Sequence, residues 1–248
     1  MNFQKRKQSI LQALAETGDA DIKELAKALG VAEITVRRDL NQLAADGLLQ
    51  RTHGGAIKVS PPNPPHPFAG KATFNIKAKQ AIARRAAAEI NDGDILFLDC
   101  GSTVFSLCPF ISNKTIRVIT NSLPIAHALE KSHASVNLIG GEFDPERQAI
   151  HGKMAEYHIG KYRANLAFLG VDGISPNGLF ANSEKEAALT MALAAHSVST
   201  WLLCDSSKIG RETYWQFANL QLVGGVITDA SAASCRFLQQ AGVTVVNV

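Results

Sequence analysis

Residues 22–56 read IKELAKALGVAEITVRRDLNQLAADGLLQRTHGGA. Within this stretch Val36, Leu40 and Leu43 recur at i, i+4 and i+7, so they share one buried stripe of a helix. The same spacing leaves Thr35, Arg37, Arg38, Asn41 and Gln42 outside. A short helix with adjacent arginines and amides on its free face suits a DNA major groove. Upstream, Asp21 can cap a helix whose core side carries Ile22, Leu25, Ala26 and Leu29. Gly30 then supplies the left-handed corner between the two helices. Downstream, residues 48–52 and 56–59 flank His53-Gly54-Gly55 as a two-stranded hairpin. A first helix over residues 5–17, with Ile10, Leu11 and Leu14 on one face, completes an expected winged helix-turn-helix.

Helical angle places Ile34, Arg38 and Asn41 nearly opposite the buried stripe. They are the candidates for base edges: Ile34 against a thymine methyl, Arg38 to guanine, Asn41 to adenine. Thr35 and Arg37 lie on the flanks and are assigned to phosphates. Arg51 and His53 on the hairpin reach phosphate or minor groove, or else pack. Asp39 is expected to be structural, paired with Arg37 or Arg51, because DNA repels an acid.

Bulk properties decide little about partners. The chain has 248 residues and a net charge of +3, weak support for nucleic-acid binding by itself. Residues 1–58 hold nine Lys/Arg against seven Asp/Glu, so the placement of charge matters more than its sum. The four cysteines, Cys100, Cys108, Cys204 and Cys235, show no C-x-x-C pair and no zinc-ligand spacing. They read as buried, reduced thiols of a cytoplasmic protein with no metal. The N-terminus lacks a signal-peptide pattern, and no apolar run approaches a membrane span.

Residues 60–67, SPPNPPHP, carry five prolines in eight positions and predict a stiff, extended spacer. The expected division is therefore 1–58 for DNA binding, 59–71 for the linker and 72–248 for a second domain. A helical pattern covers 72–91, and strand, loop and helix then alternate. Strand candidates are 95–99, 116–120, 135–139, 166–171, 199–204, 225–228 and 243–246. Helices are expected near 104–111, 123–131, 184–197 and 230–241. Several strands are continuous apolar runs, as in a parallel sheet covered on both faces.

In such sheets ligands sit at the C-terminal strand ends. Those ends carry Asp99-Cys100-Gly101-Ser102-Thr103, Thr120-Asn121-Ser122, Gly140-Gly141-Glu142, Asp172-Gly173 and Asp205-Ser206-Ser207-Lys208. A tight turn at Gly101 with two hydroxyls and a following helix makes an anion cradle. Carboxylates, an amide, hydroxyls and Lys208 together suit a phosphorylated sugar or polyol. A strand-end Gly-Ser-Thr taken singly is more often only a turn; it is the convergence that points to a site.

Residues 24–56 resemble the DNA-binding domain of the DeoR family of bacterial sugar-metabolism regulators. Val31 to Leu40 meets its helix signature, and Arg51, His53, Gly54, Gly55 and Ala56 meet its wing. The resemblance continues through Asp99/Gly101/Ser102/Thr103, Thr120/Asn121/Ser122, Gly140/Gly141, Asp172/Gly173 and Asp205/Ser207/Lys208. It implies a sensor domain similar in fold to ribose-phosphate isomerases and CoA transferases. It further implies that the Asp99–Thr103 loop holds phosphate, with Asn121, Asp172, Glu184 and Lys208 lining the pocket. Three positions depart from the family pattern: Ala32 for a capping serine, Lys71 for an arginine and Thr190 for a lysine.

Two function classes follow. The first is a repressor of a carbohydrate-utilisation operon that binds double-stranded operator DNA as a homodimer or homotetramer, without catalysis or cofactor. The second is a phosphosugar isomerase that happens to carry a DNA-binding domain, with Asp99, Asp172 or Glu184 as base. The complete DNA-reading head favours the first.

Overall fold

The computed structural model describes residues 3–17, 19–45, 49–52, 54–58 and 68–248. The chain divides into two compact units, residues 1–63 and 64–248. The first contains α1 (Phe3–Thr17), β1 (Asp19–Asp21), α2 (Ile22–Leu29), α3 (Glu33–Ala45), β2 (Leu49–Arg51) and β3 (Gly55–Lys58). Asp21 caps α2 by accepting from the Lys23 and Glu24 amides. Gly30 ends it at φ 65°, where its own N–H and that of Val31 both donate to the Ala26 carbonyl. One core joins Ile10 and Leu14 of α1, Ile22 and Leu25 of α2, Val36, Leu40 and Leu43 of α3, and Leu49 and Ala56 of the wing. Leu11, expected in that core, is only half-buried.

The wing has three strands, not two: β1 pairs with β3, which pairs with β2, all antiparallel. Gly55 is required there, because a side chain would strike the Ala20 carbonyl. Asp39 is buried, and among the described residues its partner is not Arg37; the Arg51 side chain lies outside them. Arg6 of α1 grips it with two hydrogen bonds, 2.6 Å and 3.0 Å. Arg37 faces Glu33 instead, at 3.8 Å. A partner two helices upstream was not visible from the spacing within α3.

The second unit opens with α4 (Phe68–Thr73) and α5 (Ile76–Ala87), so the expected helix over 72–91 is two helices. Asn75 separates them in the left-handed region, φ 54°, a conformation asparagine tolerates. Residues 68–71, assigned above to the spacer, belong to α4. Phe68 docks edge-on against Phe105 and donates its N–H to the Glu146 carbonyl. Residues 59–67 lie outside those described.

The elements that follow are β4 (Ile95–Leu98), α6 (Ser102–Phe105), α7 (Cys108–Ile111), β5 (Arg117–Thr120), α8 (Leu123–Ala128) and β6 (Ser135–Leu138). After them come β7 (Glu142–Asp144), β8 (Ala149–His151), α9 (Lys153–Ile159), β9 (Ala164–Leu169), β10 (Gly173–Ser175), β11 (Gly178–Ala181) and α10 (Glu184–Ala195). The chain closes with β12 (Ser197–Leu203), β13 (Trp215–Ala218), β14 (Gly225–Thr228), α11 (Arg236–Gln240) and β15 (Thr244–Asn247). The seven expected strands form one parallel sheet in the order β15-β14-β12-β9-β4-β5-β6. Both faces of the central strands are covered, which is why β4 is an apolar run, whereas the edge strands β6 and β15 are partly exposed. Leu96, Leu98 and Phe168 turn to the side packed by α5 and α7, whereas Phe97, Ala167 and Leu169 turn to the side packed by α9 and α10. The small antiparallel sheets β7-β8 and β10-β11-β13 were not foreseen, and neither was α9.

From β4 the chain adds β5 and β6 on one side, then crosses to place β9 on the other. The strand order therefore reverses between β4 and β9, the position where open α/β sheets leave a crevice.

Ala32 stands at the cap of α3, its carbonyl accepting from Thr35 and Val36 at 2.9 Å and 3.3 Å. Restoring a capping hydroxyl with Ala32→Ser should stabilise the first unit by about 0.5–2 kcal/mol. Urea unfolding followed by circular dichroism checks this; an unchanged midpoint would show that α3 already has an equivalent cap.

Candidate functional site

The free face of α3 is arranged for contact. Ile34 is 73% exposed, large and apolar. Arg38 and Asn41 are exposed with no hydrogen-bonding or ionic partner among the described residues, Arg37 is half-exposed beside Glu33, and Thr35 is half-buried. Arg51 lies on β2, although its side chain is outside the described residues, as is His53 altogether. An apolar tip between unengaged donors is the surface a base edge needs.

In the second unit the crevice between β4 and β9 is closed at its floor by Asp99. Its carboxylate accepts from the Cys100 amide at 2.8 Å and the Gly170 amide at 3.0 Å, and Thr190 Oγ1 adds a contact at 3.3 Å. Burial raises its pKa, with the two amides pulling the other way. Gly101 and Gly170 lie back to back, and a Cβ on either would stand 3.3 Å from the other's Cα. Asp99 thus ties the two strand ends together and spends its oxygens on backbone.

Cations gather above that floor. Lys71 Nζ meets Asp172 Oδ1 at 2.7 Å, and the Asn182 amide donates to Asp172 Oδ2 at 3.0 Å. Arg147 lies 3.7 Å from Asp172 and 2.8 Å from Glu186. Burial raises the Asp172 pKa, but Lys71, Arg147 and the Asn182 amide outweigh it, and the value falls to about 2. For Glu186 burial wins despite Arg147, and Asp172 adds repulsion, so its pKa rises to about 7.

Lys79 is 3% exposed and donates to Ser102 Oγ at 3.0 Å. Burial, Lys208 and Lys71 lower its pKa, while Asp205 opposes them. Lys208 is lowered by burial too, with Asp172 and Asp205 opposing. Among the described residues no carboxylate comes within 4 Å of the Lys79 or Lys208 ammonium. Asp205 is occupied by Ser207 and by Asn75 Nδ2 at 3.0 Å. Beyond that bond, Asn75, Ile76, Lys77, Ala78, Ser206 and Asp229 line an open cavity of about 390 Å³.

The structure brings Ser102, Asp172 and Lys208 of the expected site into this cluster. Thr120 and Ser122 are buried and used internally: Thr120 Oγ1 donates to the Leu98 carbonyl, and Ser122 Oγ caps α8. Thr103 is buried in α6, and Asn121 Nδ2 donates to the Ile150 carbonyl. Gly140 donates to His158, Gly141 packs on β8, and Gly173 packs on the Arg211 carbonyl. Glu184 is exposed with its carboxylate 3.3 Å from the Tyr214 hydroxyl; Glu186, one half-turn on, is the acid that joins the network. Lys71, Lys79, Arg147 and Glu186 were not singled out as site residues. Lys79 left a signal, since a lysine shares the helical stripe of Ile82, Ala83 and Ala86. Arg147 sits in a loop with no periodicity to betray it.

A winged helix with a DNA-ready face, joined to an α/β domain with a cation-lined crevice, defines a DNA-binding transcriptional regulator with a sensor domain. The chain belongs to the DeoR family: residues 6–61 match the DeoR-like helix-turn-helix domain and residues 74–230 the DeoR C terminal sensor domain. It is 32% identical over 246 residues to the HTH-type transcriptional regulator GlpR of Haloferax volcanii, covering 98% of this chain and 96% of that protein. It is 36% identical over 234 residues to the lactose phosphotransferase system repressor of Lactococcus lactis, covering 92% of each. A ribose 5-phosphate isomerase from Methanocaldococcus jannaschii is similar over 54% of each chain, with TM-score 0.40 and 17% identity. No helix among the described residues is long and apolar enough to cross a membrane.

Because the Asp172 pKa lies near 2, below the usual carboxylate value of about 3.9, its stabilising contribution is complete above that value. It is lost as pH falls through the folded value. Lys71→Met removes its leading favourable partner, so acid loss should begin at higher pH and neutral stability should drop by about 1–3 kcal/mol. Melting temperatures between about pH 2 and 6 test this; superimposable profiles would sink the assignment.

Proposed function

We propose that this chain is a repressor of a carbohydrate-utilisation operon, released from DNA by a phosphorylated sugar or polyol bound between β4 and β9. The observation that carries this reading is that the ammoniums of the buried Lys79 and the half-buried Lys208 meet no carboxylate within 4 Å among the described residues. Buried cations are ordinarily paired. A phosphate would supply the missing charge, with Ser102 Oγ as a further polar contact. Asp172 is then the group for hydroxyls. The likeness to a lactose phosphotransferase system repressor supports a sugar-derived effector.

In this reading residues 1–58 read DNA, the proline-rich segment separates the domains, and the protein acts in the cytoplasm as a homodimer or homotetramer, since one helix-turn-helix on one half-site binds weakly. Ile34, Arg38 and Asn41 contact base edges, while Thr35, Arg37, Arg51 and His53 contact backbone or minor groove. Arg38→Ala should cost about 1–3 kcal/mol and relax specificity at one base position. Footprinting against a set of single-base operator variants measures both. Equal affinity at physiological salt would remove Arg38 from the groove.

One observation favours catalysis: Glu186, with a pKa pushed up to about 7, would suit a general base. Asp99 and Asp172 are less suited, one spent on amides and the other held ionised by Lys71. Incubation with a phosphosugar panel, following isomer ratios and operator binding together, separates the readings. A regulator changes DNA affinity without turnover; turnover with unchanged DNA affinity overturns the proposal. Lys208→Ala should leave effector-free DNA binding intact and weaken the effector response by about 1.5–3 kcal/mol, roughly ten- to a hundredfold. An unshifted dose-response curve would exclude Lys208 from the site.

A further inference from the structure

Behind Arg147, Glu186 also borders two buried side chains, His151 and Cys100, that the crevice does not use. His151, at the end of β8, is 3% exposed, and neither ring nitrogen meets a hydrogen-bonding partner among the described residues. A buried imidazole is normally fixed by at least one such bond. Beside it stand Cys100 of the β4 loop and Glu186 of α10. One donor atom from each of the three residues lies within 4.8 Å of the other two. Asn121 Oδ1, which follows β5, is also buried and unpartnered.

Imidazole nitrogen, thiolate sulfur and carboxylate oxygen form a ligand set of the zinc class. Its bonds of about 2.0–2.3 Å put neighbouring ligands of a tetrahedral ion about 3.3–3.8 Å apart. Atoms spread over at most 4.8 Å reach that spacing by small side-chain rotations. A gap of this size suits one atom, not a carbon chain. Arg147 opposes a cation, but it holds only one Glu186 oxygen, leaving the other to coordinate. Its charge is further balanced by Asp172.

We propose that Cys100, His151 and Glu186 bind a thiolate-preferring divalent transition metal, with Asn121 Oδ1 or water in the fourth position. On binding, the Cys100 thiol proton passes to solvent and the sulfur takes its place on the metal. Arg147 joins this site to the Lys71–Asp172 pair, so metal occupancy and the crevice share a residue. The proposal does not depend on the sugar-phosphate reading.

The test uses the full chain, treated with chelator and then titrated with Co²⁺. One equivalent per chain should bind and give a thiolate-to-cobalt charge-transfer absorption, which Zn²⁺ then displaces. Cys100→Ser should abolish that absorption, and His151→Gln should weaken binding at least tenfold. Should His151→Gln fail to fold, Glu186→Gln carries the same expectation. Three results would overturn the site: no stoichiometric binding, as when a single water fills the gap; cobalt bound without the thiolate band; or unchanged binding in the variants, as from a surface site such as His127 and Glu130.

Discussion

The sensor domain turns on how two strands end. β4 and β9 are neighbours, and each must leave the sheet at the same level without colliding with the other. The Asp99 carboxylate solves this by accepting one amide from its own loop and one from Gly170. The absence of side chains at Gly101 and Gly170 lets the two backbones touch. Removing the carboxylate would take away the acceptor of both the Cys100 and the Gly170 amide. Ser102 leaves from one side of this knot and Asp172 from the other, so the crevice inherits its width from it.

Above the knot, charge alternates through Lys71, Asp172, Arg147 and Glu186. Each carboxylate is held by more than one cation or amide, or is pushed toward neutrality where it is not. Lys79 and Lys208 break the alternation, since burial costs them hydration with only distant acids in return. An uneven network of this kind is poised to answer an added anion more strongly than an added neutral group.

Period and punctuation made the architecture legible. The i, i+4, i+7 stripe of α3, the Asp21 cap and the Gly30 corner are local signals, and each appears in the structure where the pattern puts it. Several sheet strands, β4 and β14 among them, were visible as apolar runs because two covered faces demand them. What escaped depends on contacts across the chain. Arg6 finds Asp39 from another helix, β1 joins the wing through three residues with no alternation to mark them, and Arg147 reaches Asp172 and Glu186 from a loop. Glu184 and Glu186 illustrate the limit well. Both open α10, and only the direction each side chain takes from the first turn separates the exposed one from the one in the network.

The described chain of the second unit starts at Phe68, and Lys71 lies one helical turn later. Phe68 is clamped between the Phe105 ring and the Glu146 carbonyl, so α4 behaves as a short handle fixed at one end. The lysine that holds Asp172 is therefore part of the very segment by which the sensor is tethered to the preceding residues. Lys71 thus links α4 to Asp172 directly, with no relay through the sheet.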